Sequence, residues 1–177
     1  MRARFARKAC GPCVKWRAEM TAIKRILVPI DFSASSRAAL THAVELRTAF
    51  GAGVSVLHVH EATGFIGYET FALMPMDHPS RRWEHVRGEM LRELEGFLGR
   101  SRLAVDEIRV EAGVPDDVIP AVARDGDFDL ILMGTHGQGT TSRLALGNVA
   151  EGVMRKAHCL VMTVRVPHRV AREAVYM

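Results

Sequence analysis

The sequence predicts an open α/β fold, a five-stranded parallel sheet in the order 3-2-1-4-5 with helices on both faces. Three observations point to it. Short apolar runs alternate with longer stretches of helical period to give β-α-β-α-β-α-β-α-β. The central runs are apolar on both faces, as strands buried within a parallel sheet are. The fourth run passes through a glycine-punctuated loop into a helix start. Parallel neighbours need crossovers, and the right-handed rule leaves only a few open arrangements.

Each element has its own signal. The first strand is Arg25-Ile26-Leu27-Val28-Pro29-Ile30-Asp31, an apolar run ending in an acid. Ser33, Ser35 and Ser36 offer N-caps to a helix whose apolar face is Ala39, Leu40, Ala43, Val44 and Phe50, stopped by Gly51 and Gly53. Val54 to His60 is the second strand. Residues 61–80 lack a clear period and carry Gly64, Gly67, Pro75 and Pro79, which reads as a long loop. Trp83, Val86, Met90, Leu91, Leu94, Phe97 and Leu98 then form one face of an amphipathic helix. Glu107 to Glu111 alternates strictly, the pattern of a half-exposed edge strand. A short helix turns Val118, Ile119, Val122 and Ala123 inward, and residues 128–133 are the fourth strand. A helix from about 148 to 157 and the strand Leu160 to Val164 complete the series.

A length of 177 residues suits one domain with a real core. The expected division is a basic, unstructured extension over 1–22, with Met20 as an alternative start, a domain over 23–166 and a tail over 167–177. The pI near 9.3 invites a nucleic-acid reading, but the charge is unevenly spread. Residues 1–21 hold six of the 24 basic residues and one of the 20 acids, leaving 18 basic against 19 acidic residues in 22–177. The body therefore carries no bulk positive field for nucleic acid. No apolar stretch approaches the roughly 20 residues that span a bilayer, so no membrane partner is expected. Three cysteines, an odd number with no secretory h-region before them, favour a reducing, cytoplasmic setting. Cys10-Gly11-Pro12-Cys13 matches the active-site tetrapeptide of thioredoxin-like oxidoreductases. Only nine residues precede it, and they contain no readable strand. A thiol–disulfide enzyme is thus a competing reading beside an inert extension.

The chemistry concentrates in Gly134 to Asn148. Strand, glycine loop and helix N-terminus together gather unpaired N–H groups where the helix dipole is positive, which suits an anion. Two residues separate Gly134 from Gly137, and nine separate Gly137 from Gly147. That spacing fits neither the dinucleotide fingerprint nor a Walker loop. In the order 3-2-1-4-5 the first and fourth strands meet where the winding reverses, the position at which open α/β sheets bind ligands. Asp31 would there face Gly134. His58 and His60 share one strand face at a spacing that could hold a metal, with Glu61 and His78 nearby in sequence, but no further ligand is clearly placed and no metal site is expected.

From Ile23 to Arg165 the chain resembles the universal stress protein family, specifically its ATP-binding branch. The resemblance rests on Val28-Pro29-Ile30-Asp31-Phe32-Ser33, on Gly113-Val114-Pro115, and on Asp129-Leu130-Ile131-Leu132-Met133-Gly134-Thr135-His136-Gly137. It continues in Gly147-Asn148-Val149-Ala150-Glu151 before Ala157-His158-Cys159-Leu160-Val161. Two positions depart from the family pattern, Asn148 where Ser or Thr is usual and Leu160 where proline is common. The resemblance implies a HUP-type nucleotide-binding fold and an adenine nucleotide ligand, ATP with Mg²⁺ held mainly by the phosphates. It implies that Asp31 meets the adenine amino group, beside Ser33, and that Pro29, Ile30, Val59 and Met133 line the adenine slot. Gly134, His136, Gly137, Arg143, Gly147, Asn148 and Val149 would surround the ribose and phosphates. Asn148 also has a plainer role open to it as an N-cap. The resemblance further implies a homodimer closed through Leu160 to Val164. With no Walker lysine and no acid poised for the γ-phosphate, binding with slow hydrolysis or none is expected, and no catalytic residue is assigned. An ATP-independent interaction protein with a degenerate site is the remaining alternative.

Overall fold

The computed structural model describes residues 23–61, 79–135 and 146–166. The extension with Cys10 and Cys13, most of the expected 61–80 loop and the tail lie outside them. So do His136, Gly137 and Arg143. The elements are β1 (Arg25–Pro29), α1 (Ala34–Phe50), β2 (Gly53–His60), α2 (Pro79–Leu98), β3 (Glu107–Ala112), α3 (Pro115–Asp125), β4 (Leu130–Gly134), α4 (Asn148–Lys156) and β5 (Leu160–Val164). A 3-10 turn, Gly99–Ala104, joins α2 to β3. All strand pairs are parallel and the order is β3-β2-β1-β4-β5, as the sequence predicts.

Strand alternation sorts the core into two layers. Ile26, Val28 and Ile30 face one side, with Val54, Val56, Leu130 and Leu132, and pack under α1 and α2 through Ala39, Leu40, Leu94 and Leu98. Leu27, Leu57, Ile131 and Met133 face the other, under α3 and α4 through Ile119, Ala123, Ala150 and Val153. The stripe on α2 falls as its period predicts: Leu94 and Leu98 are buried, and Trp83, Met90, Leu91 and Phe97 pack at the margin. Phe50 departs from expectation and is 56% exposed. Seventeen residues make α1 about 25 Å long, whereas the five of β1 span about 17 Å. Phe50 is the last residue of α1, about two turns beyond the buried Ala43.

Local chemistry sets the boundaries. Ser33 caps α1 by accepting the Ser36 amide at 3.1 Å. At the other end Gly51 adopts φ 68° and donates its N–H to Arg47 O, a left-handed conformation that glycine takes without a Cβ penalty. Gly53 opens β2 and does not help to end the helix. The fourth strand begins at Leu130, two residues later than the apolar run suggests. Asp129 is occupied there as a polar clasp, accepting the Lys24 and Arg25 amides at 2.8 and 2.9 Å. Behind the sheet, Gly152 lets α4 approach α3, since a Cβ there would stand 2.6 Å from Asp116. Lys156, in the last turn of α4, bonds Asp116 and Asp117, in the first turn of α3, at 2.6 Å each. The ammonium beside Asp116 holds that carboxyl below the usual range.

Candidate functional site

A cleft of about 630 Å³ opens at the carboxyl ends of β1, β2 and β4, a volume within the span of small-molecule sites. The reversal of winding creates it: β2 follows β1 on one side, β4 pairs with it on the other, and the helices leave toward opposite faces. Pro29, Ile30, Asp31, Val59, Met133, Gly134, Gly147, Asn148 and Val149 all line it. The sequence thus brings nine of its candidate residues to one place. Ser33 is not among the lining residues. Its hydroxyl donates to Asp31 Oδ1 at 2.6 Å and its amide to the same oxygen at 3.0 Å. Ser33 thereby orients the carboxylate while capping α1. The metal-like pair separates in function: His58 Nδ1 bonds Ile30 O at 2.8 Å, while the His60 ring lies beside Trp83.

The β1 wall is unusually constrained. Ile30 N–H donates to Leu57 O at 2.8 Å. Phe32 then takes φ 63°, a left-handed conformation costing a non-glycine residue roughly 1–2 kcal/mol. Its ring is held against His58 at 4.7 Å and edge-on to Phe97 at 5.5 Å between centroids.

The opposite wall is built from main chain. Gly147 is the N-cap of α4 at φ −63°, ψ 148°, and it brings no side chain to bond the first amides. Its own N–H is committed to Thr135 O at 2.8 Å, and Thr135 N–H in turn donates to Val164 O. The Gly147 amide, one of the expected phosphate contacts, is therefore already used. The first helical bond runs from Glu151 N to Gly147 O, so the leading amides are those of Asn148, Val149 and Ala150. Among the described residues none of the three has an acceptor. Asn148 occupies the first helical turn, and the cap role considered for it belongs to Gly147. Gly134 also has a structural reason to be glycine: a Cβ would meet Ser35 Cβ at 2.6 Å and Ser35 C at 2.9 Å. It lets β4 pass beneath the start of α1.

Several lining residues escaped sequence reasoning. Ala150 was legible in principle, as the third residue of a helix with a glycine cap. Ser36, Thr135 and Leu146 gave no signal, because only the tertiary arrangement turns them toward the cleft. Glu61, which follows β2, brings a carboxylate to the lining in addition to Asp31.

An open parallel sheet with its cleft at the reversal point defines an α/β protein of the doubly wound kind, the fold class in which ligands bind at that point. Residues 22–165 match the universal stress protein family, and the chain belongs to that family. Universal stress protein MJ0531 of Methanocaldococcus jannaschii is 31% identical over 152 residues, covering 82% of this chain and 84% of that protein. MJ0577 of the same organism is 25% identical over 153 residues, covering 80% of this chain and 94% of its own length. The solved structure of MJ0577 superposes with a TM-score of 0.67 at 27% identity, covering 84% of this chain and 99% of that one. A universal stress protein solved in complex with cAMP shares the fold, with a TM-score of 0.54 at 22% identity over 82% of this chain and 98% of that one.

Proposed function

We infer that the cleft binds an adenine nucleotide, with ATP carrying Mg²⁺ on its phosphates as the foremost ligand. In this reading the protein is a cytoplasmic, nucleotide-dependent regulatory module of the stress response. The observation that carries it is the pairing of unlike walls: a fixed acceptor, Asp31, across from three leading amides of α4 with no side-chain cap. A carboxylate accepts from an exocyclic amine, and helix-start amides bind phosphate. Pro29, Ile30, Val59 and Met133 form the slot for the base. Asn148, Val149 and Ala150 donate to the phosphates, and His136, Gly137 and Arg143 are the further ribose and phosphate contacts that the family resemblance implies. Glu61 adds negative charge to the lining, so a triphosphate is best received with its cation.

Hydrolysis is slow or absent in this account, because the sequence offers no Walker lysine and no acid poised to position water. Turnover stays well below about 1 per second. The protein acts as a homodimer closed through β5, an edge strand whose Leu160 and Met162 are 64% and 46% exposed. A thermal-shift titration tests the nucleotide reading. ATP with Mg²⁺ raises Tm in step with ligand concentration, by the equivalent of about 2.7 kcal/mol at 100 times Kd. Gly137→Val abolishes the shift. ADP, AMP and cAMP, run in parallel, rank the ligands. No stabilisation by any of them at millimolar concentration contradicts the reading.

A further inference from the structure

Nothing in nucleotide binding by itself accounts for His58. It is half-buried, it lines the cleft, and its ring meets the turn that carries Asp31 at two points. The residue before Asp31, Ile30, gives its carbonyl to His58 Nδ1 at 2.8 Å. A carbonyl only accepts, so the imidazole proton sits on Nδ1. The residue after Asp31, Phe32, lays its ring on the same imidazole, with centroids 4.7 Å apart and planes tilted by 51°. Phe32 cannot relax alone. Its φ of 63° is strained, and its ring is wedged edge-on against Phe97. Phe97 is in turn covered by the Arg37 guanidinium at 3.9 Å, while Arg37 also donates to the Phe97 carbonyl at 2.9 Å. Both flanks of Asp31 are therefore fixed through one side chain, and the strain is kept where a carboxylate must be aimed.

We propose that His58 and Phe32 form a clamp that positions the Asp31 carboxylate to read the exocyclic amine of a bound purine. His58 is a positioning residue in this scheme: it acts on the ligand through Asp31. The proposal rests on the nucleotide reading for its ligand but not for its geometry, and the two can fail separately. A structural histidine would support the fold and affect every ligand alike. A positioning histidine affects only a ligand with an amine to read.

The test compares His58→Phe, which keeps a ring and removes the donor, with His58→Asn, whose amide nitrogen can stand where Nδ1 does. Binding of ATP and ITP, which differ at position 6 of the base by an amine against a carbonyl, is measured by calorimetry for each. The wild type prefers ATP. His58→Phe loses about tenfold in affinity for ATP and little for ITP, as expected when a site built to hydrogen-bond one group loses its aim, and His58→Asn keeps most of the preference. Equal weakening of both nucleotides, or an unchanged ratio in His58→Phe, overturns the clamp. A ligand-free readout runs beside it. The Ser33 amide, bonded to Asp31 Oδ1, exchanges its hydrogen faster in His58→Phe than in the wild type or His58→Asn. Unchanged exchange overturns the clamp, even if the wild type binds neither nucleotide and the nucleotide reading itself falls. Should His58→Phe not fold, Phe32→Gly serves instead. It permits the left-handed backbone, removes the ring, and gives the same loss of preference and of Ser33 protection if the clamp is real.

Discussion

The two ends of the sheet face the same physical problem and solve it differently. At the amino ends of the strands, leading amides are satisfied by carboxylates of the chain itself. Asp129 takes those of Lys24 and Arg25, and Asp106 takes that of Val54 at 2.7 Å. A concavity of about 490 Å³ at that end is lined by Arg47 and Asp106, but these two are already joined to each other. At the carboxyl ends, the amides that open α4 have a glycine for a cap, and among the described residues no carboxylate bonds to them, although Glu61 and Asp116 line the surface beside Asn148 and Val149. The first rim is closed by its own acids. The second would receive an anion from outside, and on the proposed reading the comparison separates a structural end from a binding end.

The largest expected effect comes from a glycine at the binding end whose role is structural. Gly134→Ala drives a Cβ into Ser35 and destabilises by about 2–3 kcal/mol, seen as a Tm lowered by several degrees. Asp129→Ala follows, at about 1–2 kcal/mol for two orphaned amides partly rescued by water, with the same readout and no change in nucleotide affinity. Asn148→Pro reverses that pattern. Gly147 already has the extended conformation that precedes proline, and proline suits the first helical position. The variant therefore keeps its Tm while losing one phosphate donor, and ATP affinity falls roughly tenfold.

The smallest effect belongs to Asp106. The Arg47 guanidinium holds its carboxyl below the usual range; burial opposes this, and the Val54 amide adds a lesser downward pull. The native state thus binds its proton less readily than the unfolded chain. The pair's contribution is present at neutral pH and is lost as pH falls below about 4, through the depressed pKa. The pair is partly exposed, so that contribution is at most about 1 kcal/mol. Denaturant titrations of wild type and Asp106→Asn at pH 7 and in acid reveal it as a difference that shrinks in acid.

Strand order, helix positions and the convergence of Asp31 and Gly134 on one cleft were legible because hydrophobic period and crossover handedness are properties of the whole chain. Phe50 was misread because periodicity reports which face a residue shares and not how far along the helix the packing reaches. The glycines were harder still. Gly134 and Gly147 look alike in a motif, yet one relieves a clash with Ser35 while the other lends its amide to Thr135 and leaves its successors uncapped. His58 illustrates the same limit: the strand spacing of the histidine pair names no partner, and only the tertiary structure reveals the Ile30 carbonyl.

The central claim is that the carboxyl end of the sheet, and not the amino end, receives the nucleotide. Amide chemical shifts followed during titration with ATP and Mg²⁺ test it most directly. The account predicts perturbation of Asn148, Val149 and Ala150 together with Ile30, Asp31 and Val59, while Lys24, Arg25 and Val54 stay still. Saturating ATP that moved the second group and spared the first, or moved neither, would contradict it.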